Sequence, residues 1–73
     1  MRDPNRLDNF YFQLREIHKT QFPDWRFGQL MSNFLEWVFS EKKRDPFFPE
    51  ENEMLKYFKE FANGTSPYYS END

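Results

Sequence analysis

Few side chains in this sequence could support catalysis. The chain has one histidine, His18, and no cysteine. The carboxylates closest to it in sequence, Glu16 and Asp24, could form an acid–base pair with the imidazole. A structural role is favoured instead, because a protonated histidine near a helix end stabilises the negative end of the helix dipole. No serine lies near His18, and no glycine-rich phosphate loop is present. We therefore predict a non-enzymatic protein with no catalytic residue and no cofactor.

Two charged clusters could bind ions, and for both we favour a structural role. Glu50, Glu51 and Glu53 lack the alternating oxygen ligands and the glycine turn of a calcium loop. They suit the first turn of a helix instead, where acidic side chains are favourable. The run at 42–44 holds only three cations, too few for strong phosphate binding through counterion release. The sequence thus predicts no metal site and disfavours nucleic acid as a partner.

The length and composition indicate one small domain that needs help with its stability. Seventy-three residues bury only about 60% of the unfolded chain's surface. Disulfides are excluded because cysteine is absent. Phenylalanine, tyrosine and tryptophan make up 22% of the chain, and each aromatic ring buries roughly 150–250 Å². Dense aromatic packing or self-association is therefore the expected source of stability.

Charge and hydropathy also narrow the partners and the location. Residues 49–73 hold two Lys/Arg against six Asp/Glu, which argues against a phosphate-binding surface and favours protein partners. No apolar run reaches the ~20 residues of a membrane span. The first ten residues lack the apolar region of a secretory signal. We expect a cytoplasmic protein with no membrane contact.

The apolar spacing predicts an all-α fold with three helices at about 4–20, 25–42 and 49–63. Residues 1–63 then form a single helical domain, and residues 64–73 form a flexible acidic and aromatic tail. Asp3 and Asp24 are the predicted N-caps of the first two helices. The prolines at 46 and 49 exclude a regular helix across the second connection.

Gly28 is unusual, because glycine inside a helix costs about 1 kcal/mol relative to alanine. Tolerance near a frayed helix end is one explanation. We favour close packing, in which the glycine admits a ring or backbone from another element. The sequence leaves open whether that element belongs to the same chain or to a second one.

The aromatic content exceeds the needs of one core. One face of each helix supplies the predicted core, which comprises Leu7, Phe10, Leu14, Ile17, Phe27, Leu30, Met31, Phe34, Val38, Leu55, Phe58 and Phe61. Six further aromatic residues form the predicted interaction surface: Phe12, Trp37, Phe39, Phe47, Phe48 and Tyr57. A monomer exposing them together would carry an unusual apolar patch, so the sequence predicts burial against a partner.

Three segments resemble the motifs of a family of short uncharacterised bacterial and phage proteins. They are RDPNRL at Arg2–Leu7, PDWRFGQL at Pro23–Leu30 and DPFFPEENEML at Asp45–Leu55. The family pattern has RDPxR near the start, then PDxRxGQL, then DPF followed by acidic residues. It carries no known activity, so the resemblance implies a compact helical protein over about residues 2–62 and assigns no site.

Three hypotheses for function follow. The favoured one is a protein–protein interaction module, most simply a homodimer. The second is a small nucleic-acid-binding or regulatory protein, which would use Arg2, Arg6, Lys42, Lys43 and Arg44. The third is an acidic phage-type inhibitor of a host nucleic-acid enzyme, whose C-terminal third would mimic nucleic acid.

Overall fold

The computed structural model describes residues 2–66 and contains three helices. They are α1 (Arg6–Gln21), α2 (Phe27–Glu41) and α3 (Glu51–Thr65). No strand occurs within these residues. The all-α, three-helix prediction is therefore confirmed, and every helix end lies within two residues of its predicted position.

The first helix starts later than its sequence signal indicates. Its N-cap position is Asn5, not Asp3. The Asp3 carboxylate accepts a hydrogen bond from the Asn5 amide at 3.0 Å, and the Asp3 carbonyl accepts one from the Arg6 amide at 3.2 Å. Asp3 thus closes a turn that leads into α1, because the chain makes short-range bonds before the regular helical pattern begins.

The start of α2 also differs from the prediction. Arg26 is the N-cap residue, and Asp24 lies two residues before it. The Gln29 side chain reaches back and accepts a hydrogen bond from the Arg26 amide at 2.8 Å. This is the N3-side bond of a capping box, and it fixes the first turn without Asp24.

The α2–α3 connection is held by local hydrogen bonds. Lys43 follows the C-cap of α2 with φ of 55°, a left-handed position that commonly ends helices. The Asp45 carboxylate then accepts a hydrogen bond from the Phe47 amide at 2.9 Å. The Asp45 carbonyl accepts another from the Phe48 amide at 3.2 Å. These bonds form the rigid turn that the proline spacing predicts.

The C-terminal boundary of the domain lies beyond residue 63. Helix α3 continues through Gly64 to Thr65 and has Ser66 as its C-cap. Ser66 is buried, and its hydroxyl donates a hydrogen bond to the Gln21 carbonyl at 2.8 Å. Residues 64–66 are therefore part of the fold, which corrects the predicted tail of 64–73. The rest of that tail, 67–73, lies outside the described residues.

Helix α3 is the element that joins the other two. It packs against both α1 and α2, whereas α1 and α2 barely contact each other. Arg6 at the start of α1 pairs with Glu51 at the start of α3, and Gln21 at the end of α1 meets Ser66. These contacts show that α1 and α3 run side by side in the same direction, while α2 has α3 as its main neighbour.

The core is an aromatic cluster centred on Phe61. The Phe61 ring lies with its centroid 5.5 Å from that of Phe22 and 5.6 Å from that of Phe34. Trp37 and Phe58 approach it edge-on at 5.7 and 6.2 Å. Such offset and edge-to-face pairs add about 0.5–1.5 kcal/mol each beyond the area they bury. Phe61 therefore joins the end of α1, the middle of α2 and α3 in one cluster.

Replacing Phe61 with leucine tests this cluster. We expect Phe61→Leu to lower the free energy of unfolding by about 2 kcal/mol, because it removes ring contacts and leaves unfilled volume. Chemical denaturation followed by circular dichroism measures the change. Phe47→Leu is the matched control: Phe47 is 84% exposed, so its loss is expected to change stability by less than about 0.5 kcal/mol. Equal effects of the two substitutions would contradict the central place of Phe61.

Candidate interaction surface

Four of the six aromatic residues of the predicted surface are exposed. The exposed fractions are 51% for Phe12, 66% for Phe39, 84% for Phe47 and 68% for Phe48. Phe47 and Phe48 pack edge to face, with ring centroids 5.1 Å apart. The other two residues, Trp37 and Tyr57, are half-buried and pack against the core.

Trp37 contributes to the aromatic core. Its ring stacks on Phe34 with centroids 6.4 Å apart and meets the edge of Phe61. The Lys42 ammonium lies 5.6 Å from the Trp37 ring centroid. The prediction that Trp37 is surplus to the core is wrong, because the core stripe of α2 reaches round to this position.

Tyr57 belongs to a polar cluster that ties the α2–α3 connection to α3. Its hydroxyl donates to the Glu53 carboxylate at 3.1 Å and lies 3.2 Å from Arg44 Nη1. Arg44 also pairs with Glu53 at 2.7 Å, which raises the pKa of the arginine above its usual value. Tyr57 thus has a structural role, because its hydroxyl links the α2–α3 connection to α3.

Phe12 is separate from the other exposed rings. It lies five residues before the buried Ile17 on α1, which places it about 140° around the helix from that core residue. The Arg15 guanidinium lies 5.2 Å from its ring centroid. Among residues 2–66, the Phe12 ring makes no ring pair with the other five residues of the predicted surface.

The second helix exposes apolar residues that the sequence pattern assigns to its buried stripe. Phe27 is 65% exposed and Leu35 is 37% exposed. The prediction that Phe27 belongs to the core is therefore wrong. Leu30, Phe34 and Val38 fill the face toward α3. The apolar stripe of α2 is therefore wider than α3 can cover, and its far side faces outward.

Four residues on this far side form a line, which we call the outer seam: Gly28, Ser32, Leu35 and Phe39. All four are exposed. They are spaced by four, three and four residues, the spacing by which packed helices contact each other along their length. Met31 flanks the line at helical spacing. No charged residue occurs in the whole stretch Phe27–Leu35.

Within residues 2–66, Gly28 has no close neighbour from another element. A Cβ atom built at this position meets no heavy atom within 4 Å. Of the two alternatives that the sequence leaves open, close packing of Gly28 within the chain is therefore wrong for residues 2–66, and close packing against a second chain stays a prediction. The residue sits in the first turn of α2 with open space beside it.

Ion pairs engage the cations that a nucleic-acid interface would use. Arg2 forms a two-pronged pair with Glu50, at 2.6 and 2.9 Å, which raises the pKa of the arginine. Arg6 pairs with Glu51 at 2.8 Å. These contacts join the N-terminal segment and α1 to the start of α3, and they neutralise the acidic cluster there.

The basic run after α2 is largely engaged as well. Lys42 pairs with Glu60 at 2.8 Å and Arg44 pairs with Glu53. Among residues 2–66, Lys43 has no ion pair. Four of the five cations of the nucleic-acid hypothesis therefore pair with glutamates of α3 or of its N-cap.

His18 has a structural contact, and the recess between the first turns of α1 and α3 lies at the other end of α1. His18 Nε2 lies 2.7 Å from the Trp25 carbonyl, so this nitrogen donates a hydrogen bond that ties α1 to the α1–α2 connection. A recess of about 440 Å³ opens between the first turns of α1 and α3, and its Arg6 and Glu51 pair with each other. Within residues 2–66, no three His, Cys, Asp or Glu residues cluster as metal ligands would.

The comparisons with known proteins add no family to this geometry. No family model, curated protein or solved structure matches the chain. The motif resemblance therefore stays a prediction. None of the helices formed by residues 2–66 combines the length and hydrophobicity of a membrane span.

The Arg6–Glu51 pair makes stability depend on pH. Its hydrogen bond holds the pKa of Glu51 below its ordinary value of 4.5, so the pair stabilises the fold above pH 4.5 and loses that effect as the pH falls through the lowered pKa. We expect the stability difference between the native chain and Glu51→Gln to be largest at neutral pH and to shrink below pH 4.5.

Urea denaturation across this pH range measures that difference. The matched control is Glu36→Gln, because Glu36 forms no ion pair within the part of the chain that the structure describes. A difference for Glu51→Gln that stays constant down to pH 3 would show that the pair does not stabilise the fold.

Proposed function

We propose that this chain is a non-enzymatic, cytoplasmic protein–protein interaction module that self-associates through exposed apolar surface. The observation that carries the proposal is the uncovered side of α2, where Phe39 is 66% exposed and Leu35 37% exposed. Contiguous exposed apolar surface on a small protein commonly marks an interaction site. The adjacent residues from Phe27 to Leu35 carry no charge, as is typical of interface centres.

The energetics of a small domain support the same proposal. The core is confined to the cluster around Phe61 and its neighbours, and α2 packs mainly on α3. Covering α2 on its second side would remove further apolar surface from water, at about 25 cal/mol per Å². Self-association would therefore supply the stability that other small proteins obtain from disulfides or structural metals.

The other two hypotheses have less support. Nucleic-acid binding would require Arg2, Arg6, Lys42 and Arg44 to leave their glutamate partners. An acidic mimic of nucleic acid would require Glu50, Glu51 and their neighbours to present unpaired charge, and the same ion pairs neutralise them. We therefore favour an apolar interface over either electrostatic one.

Sedimentation equilibrium of the full chain tests the proposal. We expect the average mass to rise above that of the monomer as the concentration reaches the high micromolar range. Added salt is expected to leave this association intact or strengthen it, because apolar burial is not screened by ions. A nucleic-acid interaction would instead weaken steeply with salt.

The outcome that would contradict self-association is a clean monomer at every concentration. Phe39→Ala provides the local test and is expected to weaken the association. Phe12→Ala is its matched control, since Phe12 is also an exposed helical phenylalanine but lies on the outward face of α1. Equal effects of both substitutions would show that association does not use α2.

A further inference from the structure

We infer that the outer seam of α2 pairs with the outer seam of a second copy, with the two helices running in opposite directions. In this arrangement Phe39 of one copy packs over Gly28 of the other, and Leu35 packs over Ser32. The inference rests on the proposed self-association and specifies its surface, its partner and its geometry.

The order of side-chain sizes along the seam indicates that the partner is a second copy of this chain. From the start of α2 the seam has two small residues, Gly28 and Ser32, followed by two large ones, Leu35 and Phe39. When a second copy of the helix runs in the opposite direction, each large residue meets a small one, so the seam is complementary to itself. A twofold axis between Ser32 and Leu35 produces that match, as an isologous dimer requires.

A parallel pairing of the same seams fits poorly. It would set Gly28 against Gly28 and Ser32 against Ser32, which leaves a gap where packed helices need contact. It would also set Phe39 against Phe39 and crowd that end. The antiparallel pairing avoids both defects and offsets the dipoles of the two helices.

The open space at Gly28 is the second observation. A Cβ atom there would meet nothing within 4 Å among residues 2–66 of the same chain, so this part of the fold gives no reason for a glycine in the turn. Glycine is less favourable than alanine in a helix by about 1 kcal/mol. A partner's ring seated against the bare backbone gives the residue a role, because small residues allow two helices to approach closely.

Charge and area determine the strength of the pairing. The stretch Phe27–Leu35 is free of charge, so pairing would leave no charged side chain buried without a partner there. Aromatic side chains offer roughly 150–250 Å² each. Phe39, at 66% exposure, therefore contributes about 100–165 Å² per copy. Standard interfaces bury about 800 Å² per partner, so we expect a weak, concentration-dependent dimer.

Disulfide trapping tests the geometry, and the absence of native cysteine makes single substitutions clean. In the antiparallel dimer the two copies of position 32 are offset by only about 4.5 Å along the helix axis, so closely packed helices can bring the Cα atoms of Ser32→Cys within the roughly 4.4–6.8 Å that a disulfide spans. We expect this variant to form a linked dimer under mild oxidation at high micromolar concentration, as seen on a non-reducing gel.

Two further cysteine variants are the controls. Ser40→Cys is the same change on the same helix but off the seam, and its two copies would lie about 20 Å apart along the axis. Gly28→Cys is on the seam, with its copies about 16 Å apart in the antiparallel dimer but side by side in a parallel one. Both are expected to link much more slowly than Ser32→Cys. Fast linking of Gly28→Cys would overturn the antiparallel order.

A steric substitution provides an independent readout. Gly28→Gln is expected to weaken dimerisation about tenfold by blocking the Phe39 ring. Its melting temperature at low concentration is expected not to fall, because the new side chain enters open space. Ser40→Gln is the matched control and is expected to change neither quantity. Unchanged dimerisation of Gly28→Gln would overturn the proposed contact.

The possible outcomes distinguish self-association itself from the outer seam as the surface that it uses. A native chain that is monomeric at all concentrations would refute both self-association and the seam. A native chain that dimerises, while Ser32→Cys links no faster than Ser40→Cys, would leave self-association standing and refute the outer seam as its surface. If the chain associates only with a different protein, then a second copy is not what covers the outer seam, and the inference is refuted.

Discussion

The fold depends on aromatic packing against a single helix. Phe61 brings Phe22, Phe34 and Trp37 within ring contact, and these three rings come from the α1–α2 connection and from α2. Since α1 and α2 barely touch, α3 provides the surface on which both are placed. The ion pairs reinforce the same arrangement, because each of those that join different elements ends on a glutamate of α3 or of its N-cap. The molecule is organised around α3, and α2 is left with one uncovered side.

Much of the fold could be predicted from the sequence, because its signals are local. The 3.6-residue spacing located all three helices, and the prolines at 46 and 49 located the second connection. The caps were harder, since Asp3 and Asp24 are good capping residues by type. The Gln29 side chain fixes the start of α2. Asn5 takes the N-cap position of α1 without a capping bond from its side chain, and Asp3 accepts a hydrogen bond in the turn before it. Choosing between such neighbours requires the geometry of the turn.

The candidate surface was predicted less well, for a physical reason. A helical pattern shows which side chains share a face, but not which neighbouring element covers that face. Trp37 and Tyr57 were assigned to the surface, yet both pack against the core. Phe27 was assigned to the core, yet it is 65% exposed. The signal that was available lay in the charge pattern, because Phe27–Leu35 contains no charged residue on any side, which is unusual for a helix with a solvent-facing side.

The space beside Gly28 is where the proposed dimer can be tested most directly. Isotope-filtered nuclear Overhauser spectroscopy on a mixture of labelled and unlabelled chains can observe contacts between two copies alone. At concentrations where sedimentation shows a dimer, the account predicts contacts from the Phe39 ring protons of one copy to the Gly28 α-protons of the other. Contacts between copies that arise instead from Phe47 and Phe48, with none at Gly28, would contradict it.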